Sequence, residues 1–272
     1  MDFLEHWTTA TMTDAELCRF ENETSDLCAS LAADSEKLLS KVTDRKHGDD
    51  LMATGDIVNF ALRVLGFTRP NNNTPDQSVA ISSYGLTTDL ERYEKWARNG
   101  SEGTFCFQER GTVRNWNLFA LLSCFDASRF ADQTTIRRVA FPIFGGFHWS
   151  LLVLDRYKKE FRFYDSIPGA HDSRAYMLRS MLVAGGVLRD PWPIVRAECT
   201  KQRGGWECGY SLIGCAAHES RTFIAPGVDG RSVAGNRDAI AMLAAFLLAR
   251  SDAGRKTEAY LKSRLQNYMW FE

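Results

Sequence analysis

The chain predicts an α+β fold in which helices come first, a short run of strands follows, and helices return. Three observations carry that order. Residues 55–65 place apolar side chains at 57, 58, 61, 62 and 65, the spacing of one helical face, and Gly66 stops the pattern. From residue 138 the period changes to short β-rich runs at 138–144, 148–155 and 160–165. Gly145-Gly146 separates the first two runs, and the charged turn 156–159 separates the second from the third. Helical spacing then returns at 172–184, ended by Gly185-Gly186, and at 209–219, with Leu212, Ile213, Cys215 and Ala216 turned inward.

The remaining segments fill in around these. Residues 1–46 alternate acids with Leu, Cys and Phe, and Thr13-Asp14-Ala15-Glu16 and Ser25-Asp26 supply capping signals. They read as a helical N-terminal extension ahead of one main domain at 47–272. Residues 69–77 (RPNNNTPDQ) form the clearest surface loop. Helices are expected at 86–99 and 112–125, and a strand at 193–199. The most apolar run, 239–249 (AIAMLAAFLLA), is shorter than the ~20 residues a bilayer span needs, so it reads as a buried helix.

Composition narrows the function classes. With 272 residues and 44% hydrophobic content the chain can bury a substantial core. A net charge of -1 provides no general attraction to nucleic acid or anionic membrane, and pairs such as Arg137-Arg138 and Lys158-Lys159 read as solvated faces. The seven cysteines are odd in number and widely scattered, unlike a disulfide scaffold, and the first residues carry early acids with no long apolar stretch. A soluble protein of a reducing compartment, with no membrane span, is expected.

Against that background one constellation stands out. His148-Trp149, Asp165-Ser166, Gln202 and Cys208-Gly209 follow one another, each at the predicted end of a strand or start of a helix. A cysteine nucleophile needs a base, a group to orient that base, and a donor for the developing oxyanion. Cys208 lies between the Gly-rich turn 202–207 and a predicted helix, where the helix dipole and unpaired N–H groups favour the reactive thiolate. Gly209 lets a substrate carbonyl approach the backbone. His148 opens a strand and projects from the sheet edge, while Asp165 ends the next strand; in a hairpin both lie near the same sheet end. The amide of Gln202 is a candidate oxyanion donor. Singly, each has an ordinary reading: a buried cysteine, a satisfied core histidine, a turn aspartate, a polar loop residue. The ordered set carries the inference. Cys199, Cys208, Cys215 and His218 lack the paired spacing of zinc sites, so neither metal nor cofactor is expected.

The stretches HWSLLVLD, FRFYDS and Q-x4-ECG resemble the ubiquitin-like-protein-specific cysteine peptidases, the SUMO proteases and their relatives of clan CE. The similarity covers roughly residues 48–220, including GDIVNFAL at 55–62 and VAISSYGLTTDL at 79–90. It implies a papain-like architecture with a short mixed sheet flanked by helices and the cysteine at a helix N-terminus. It also implies a Cys208–His148–Asp165 triad, an oxyanion hole from Gln202 and the Cys208 N–H, and Trp149 over a tunnel for the substrate's Gly-Gly tail. Two departures from the family pattern are visible. Met52 falls where a first tunnel tryptophan is usual, and the usual D-C-G reads Glu207-Cys208-Gly209 after an unusual Trp206. Met52, Trp149, Trp206 and Gly209 form the expected substrate-contacting set. The implied partner is ubiquitin or a ubiquitin-like protein and its conjugates, met by a monomer in cytoplasm or nucleus, or in host cytoplasm for a bacterial effector.

Two other functions compete. Q-R-x-x-x-E-C-G also looks like the Yop-type effector acetyltransferases, which use the same residue order with acetyl-CoA, although Trp149 and Tyr164-Asp165-Ser166 favour the peptidase side. A non-catalytic module could bind a modifier through the same cleft, but an intact Cys208, His148 and Asp165 argues against it.

Overall fold

Elements form where the apolar period and the turn chemistry agree. A computed structural model describes residues 52–67, 77–100, 105–106, 136–222, 224 and 226–249. The extension 1–46, the helix expected at 112–125 and most of the loop 69–77 lie outside the described residues. Helix α1 spans Gly55–Val64, with Thr54 as its N-cap accepting the Ile57 N–H on Oγ1 at 3.3 Å. Strand β1 (Gln77–Ala80) leads into α2 (Ser83–Arg98). The three expected runs become β2 (Ile136–Gly145), β3 (His148–Asp155) and β4 (Glu160–Tyr164). Helix α3 (Asp172–Ala184), strand β5 (Ile194–Arg196), helix α4 (Cys208–Ser220), a 3-10 turn at Gly230–Ser232 and helix α5 (Arg237–Ala249) complete the order.

The fold class is α+β with a mixed five-stranded sheet flanked by helices. Strand order is β1-β2-β3-β4-β5, with β1/β2 and β4/β5 parallel and the two central pairings antiparallel. Gly145 opposes His148 in the register, so Gly146-Phe147 is the two-residue hairpin turn rather than Gly145-Gly146. Both turn residues have positive φ, 55° and 58°, the sense of a primed turn that matches strand twist. Glycine takes that conformation readily; Phe147 does so against its Cβ, with its ring exposed.

Two compact units divide the chain, residues 66–201 and residues 1–65 with 202–272. The first holds the sheet, α2 and α3. One core runs through it: Val139, Phe141 and Ile143 of β2, Leu152 and Leu154 of β3, Phe161 and Phe163 of β4, with Leu86 and Leu90 of α2 and Leu178, Met181 and Leu182 of α3. Alternate residues share a sheet face, and the register sets Phe141, Leu152 and Phe163 side by side across three strands. Each such side chain contributes about 1.5–3 kcal/mol of burial. Every residue of β3 is buried, so its near-continuous apolar run is that of a covered central strand. At the end of β3, buried Asp155 accepts the Tyr157 and Lys158 N–H groups and pairs with Arg162 at 3.3 Å. Arg138 approaches the same carboxylate at 4.0 Å, so this arginine is not the solvated residue its sequence suggested.

In the second unit α1, α4, α5 and the 3-10 turn pack together. Apolar Leu62, Ile213, Ala217, Val233, Ile240 and Leu247 are buried there. Gly214 of α4 meets the 3-10 turn backbone to backbone: a Cβ on it would lie 2.3 Å from the Gly230 carbonyl, and one on Gly230 would lie 2.1 Å from that of Gly214. No described helix is long and apolar enough to cross a membrane.

Candidate active site

Asp165 follows the last residue of β4, and the antiparallel β3/β4 pairing puts it at the sheet end where β3 begins with His148. There the two side chains meet. His148 donates Nε2–H to Asp165 Oδ1 at 2.7 Å, and both are buried. Oδ1 also accepts the Ile167 N–H at 3.0 Å, and Oδ2 accepts the His171 N–H at 3.1 Å. Burial alone would push this carboxyl up. The bonds from His148, Ile167 and His171 outweigh it and hold Asp165 below the usual carboxylate range. A carboxylate only accepts, so it fixes the neutral His148 ring with its proton on Nε2; Nδ1 is then the basic nitrogen.

A second histidine belongs to this cluster and was not anticipated. His171, the residue before α3, is buried with its ring centroid 4.7 Å from that of His148. Its Nε2–H donates to the Gly145 carbonyl at 2.9 Å, and its Nδ1 accepts the Ser150 hydroxyl at 2.8 Å. Burial pushes its pKa down, with the neighbouring His148 and Arg174 acting the same way against the Gly145 carbonyl and Asp165. In sequence His171 precedes a helix as any polar cap would. The one available signal was the parity of β3, which puts Ser150 on the same face as His148. Trp149 points to the opposite face, buried against Phe144 with centroids 4.5 Å apart.

Cys208, in the other unit, is the first residue of α4, and Gly209 is the second; both are buried. The preceding turn is held from within. Gln202 donates Nε2–H to the Gly204 carbonyl at 2.8 Å, and an amide nitrogen carries a second N–H. Buried Glu207 accepts the Arg203 N–H at 3.0 Å and the Gly235 N–H at 2.7 Å, both on Oε2. The carboxylate before the cysteine thus ties its turn to the loop after the 3-10 turn, a role sequence reasoning did not assign. Trp206 is buried edge-on against Tyr210 at 5.9 Å, with Gly204 leaving room for its indole. Burial, with Cys208 close by, pushes the Tyr210 hydroxyl well above the ordinary phenol range. Met52 is half-buried ahead of α1.

The four described cysteines, 106, 199, 208 and 215, are free thiols. Among the described residues no three His, Cys, Asp or Glu side chains gather as a metal site, and His218 faces Asp229 at 3.6 Å.

No protein-family model matches the chain, and neither does any curated protein. Solved structures with a distant likeness include the SUMO protease Ulp1 with its catalytic cysteine oxidised to a sulfonic acid, at 14% identity and a TM-score of 0.46, over 80% of this chain and 94% of that one. Another is the C-terminal Ulp1 protease domain in complex with the yeast orthologue of SUMO, at 17% identity and 0.47, over 81% and 95%. A third is the Ulp1-like SUMO protease catalytic domain of Chaetomium thermophilum, at 17% and 0.47, over 73% and 71%. What the site can do is decided by its residues.

Proposed function

We propose that this chain is a cysteine peptidase that cleaves peptide or isopeptide bonds after the C-terminal glycine of ubiquitin or a ubiquitin-like, SUMO-like modifier. The observation that carries the proposal is the buried His148–Asp165 pair, tied at 2.7 Å at one sheet end. A base oriented by a carboxylate, itself held by two backbone N–H groups, is the arrangement nucleophilic acyl transfer requires. Cys208, at the start of a 13-residue helix, is the matching nucleophile.

In the proposed reaction His148 Nδ1 takes the Cys208 proton, and the thiolate attacks the glycine carbonyl. The oxyanion is met by the Cys208 N–H and the Gln202 amide. His148 then protonates the leaving amine, a thioester forms, and a water deprotonated by His148 releases the modifier and regenerates the thiol. Asp165 keeps the imidazolium oriented throughout. Trp149, Met52, Trp206 and Gly209 are assigned to the channel for the thin C-terminal tail, with Met52 and Trp206 its departures from the pattern of the resembled family.

The test is a side-by-side cleavage panel using ubiquitin, SUMO and other modifiers with a fluorogenic C-terminal amide. Turnover of at least one, lost in Cys208→Ala, is expected. Absence of turnover across the panel, with self-acetylation by labelled acetyl-CoA, would replace the peptidase reading with the acetyltransferase one.

A further inference from the structure

Asp165 and His148 do not stand alone at the sheet end. Asp165 Oδ2 accepts the His171 backbone N–H at 3.1 Å, and the His171 ring lies against the His148 ring at 4.7 Å. The His171 ring is itself held from two sides. A carbonyl oxygen only accepts, so the contact with Gly145 puts the His171 proton on Nε2; Nδ1 must then accept the Ser150 O–H. Gly145 ends β2 opposite His148, and Ser150 lies on β3 two residues beyond His148. The two strands that carry the base therefore also clamp its neighbour.

We propose that His171 is a positioning residue, locked by Ser150 and Gly145 as the Nε2–H tautomer, that fixes both the carboxylate of Asp165 and the ring plane of His148. A neutral ring in this place walls His148 from water and adds no charge beside it, whereas a loose or protonated one would compete for Asp165. Arg174 and Asp165 are the other charged groups facing His171. The geometry stands by itself; its consequence for turnover rests on the peptidase reading.

The experiment reads ring tautomers in the free, full-length chain by long-range proton–nitrogen correlation spectra at neutral pH, so no substrate is needed. His171→Gln keeps one donor and one acceptor, while His171→Leu keeps bulk alone. Both rings of the parent are expected as single Nε2–H tautomers. Both variants keep the backbone N–H at 171 and the Asp165 carboxylate, so His148 should stay the Nε2–H tautomer. In His171→Leu its Nε2–H should exchange with solvent faster, and in His171→Gln nearly as slowly as in the parent. A mixture in the parent, or an unchanged His148 Nε2–H exchange rate in His171→Leu, overturns the proposal. Should His171→Leu fail to fold, Ser150→Ala decides: faster solvent exchange of the His171 Nε2–H supports the lock, an unchanged rate refutes it. On a cleaved modifier substrate, His171→Leu should lose kcat by up to about 100-fold with KM little changed, and His171→Gln should recover most of it. A parent in which both rings are single Nε2–H tautomers, but which cleaves nothing, would sink the peptidase reading and leave the positioning role intact.

Discussion

Both oxygens of Asp165 accept hydrogen bonds, and that fact sets how the sheet end responds to acid. The folded carboxyl lies below its ordinary value, so it stabilises the fold at neutral pH. That contribution is lost as pH falls below about 3.9 and through the depressed folded value. His171 works in a higher window. Its folded pKa is also depressed, so on acidification the unfolded chain takes the proton first, from about pH 6.5 downward, and stability falls there too. Denaturant midpoints measured across that window should decline, and His171→Gln should flatten the upper part of the decline. An equal slope in the variant would show that His171 is not the group responsible. Glu207 gives a second residue-scale prediction. Glu207→Ala leaves two backbone N–H groups without their acceptor and should cost about 1–3 kcal/mol for each that stays buried. Glu207→Asp is one methylene short of reaching both Arg203 and Gly235, so it too should lower the unfolding midpoint. Single residues were unevenly legible. His148, Asp165 and Cys208 stood out only together, as an ordered set at element ends, since each alone has an ordinary reading. His171 reaches Gly145 and Ser150, and Glu207 reaches Gly235, all far away in sequence, and no local pattern records such partners.

Elements were legible in proportion to how far their own residues decide them. The hairpin of β2 and β3 announced itself by β-branched and aromatic runs around a glycine turn, and α3 by spacing and a terminal glycine pair. Strand β1 did not. Its four residues sit beside a loop sequence, and it exists through parallel pairing with β2, more than fifty positions away. The strand expected at 193–199 shrinks to Ile194–Arg196, with Val195 and Arg196 exposed at the sheet's edge and Pro193 unable to donate to the ladder. Gly214 in the middle of α4 breaks helix propensity, and the reason is its contact with Gly230. Gly214→Ala should therefore destabilise by about 1–3 kcal/mol despite the better helix former, because the obstructing atoms are backbone. A chemical-denaturation midpoint that rises instead would mean the 3-10 turn yields easily.

At the scale of the whole molecule, the chain builds two compact units, and one of them joins segments from its two ends. The α+β class was legible because the period of the apolar pattern switches twice along the chain. The partition was not, since it depends on contacts between segments far apart in sequence. The expected boundary near residue 46 lies outside the described residues. The candidate site was legible as an ordered set of residue types, and the structure adds the His148–Asp165–His171 cluster on one unit and the Glu207-anchored start of α4 on the other. Cys208 is proposed as a nucleophile for the C-terminal glycine of a ubiquitin-like modifier. That role is tested most directly by incubating the full chain with modifiers carrying a C-terminal electrophile and mapping the adduct by mass spectrometry. One covalent adduct is expected, on Cys208, absent in Cys208→Ala and strongly slowed in His148→Ala. No adduct with any modifier, from a chain whose Cys208 still reacts with a small alkylating agent, would contradict it.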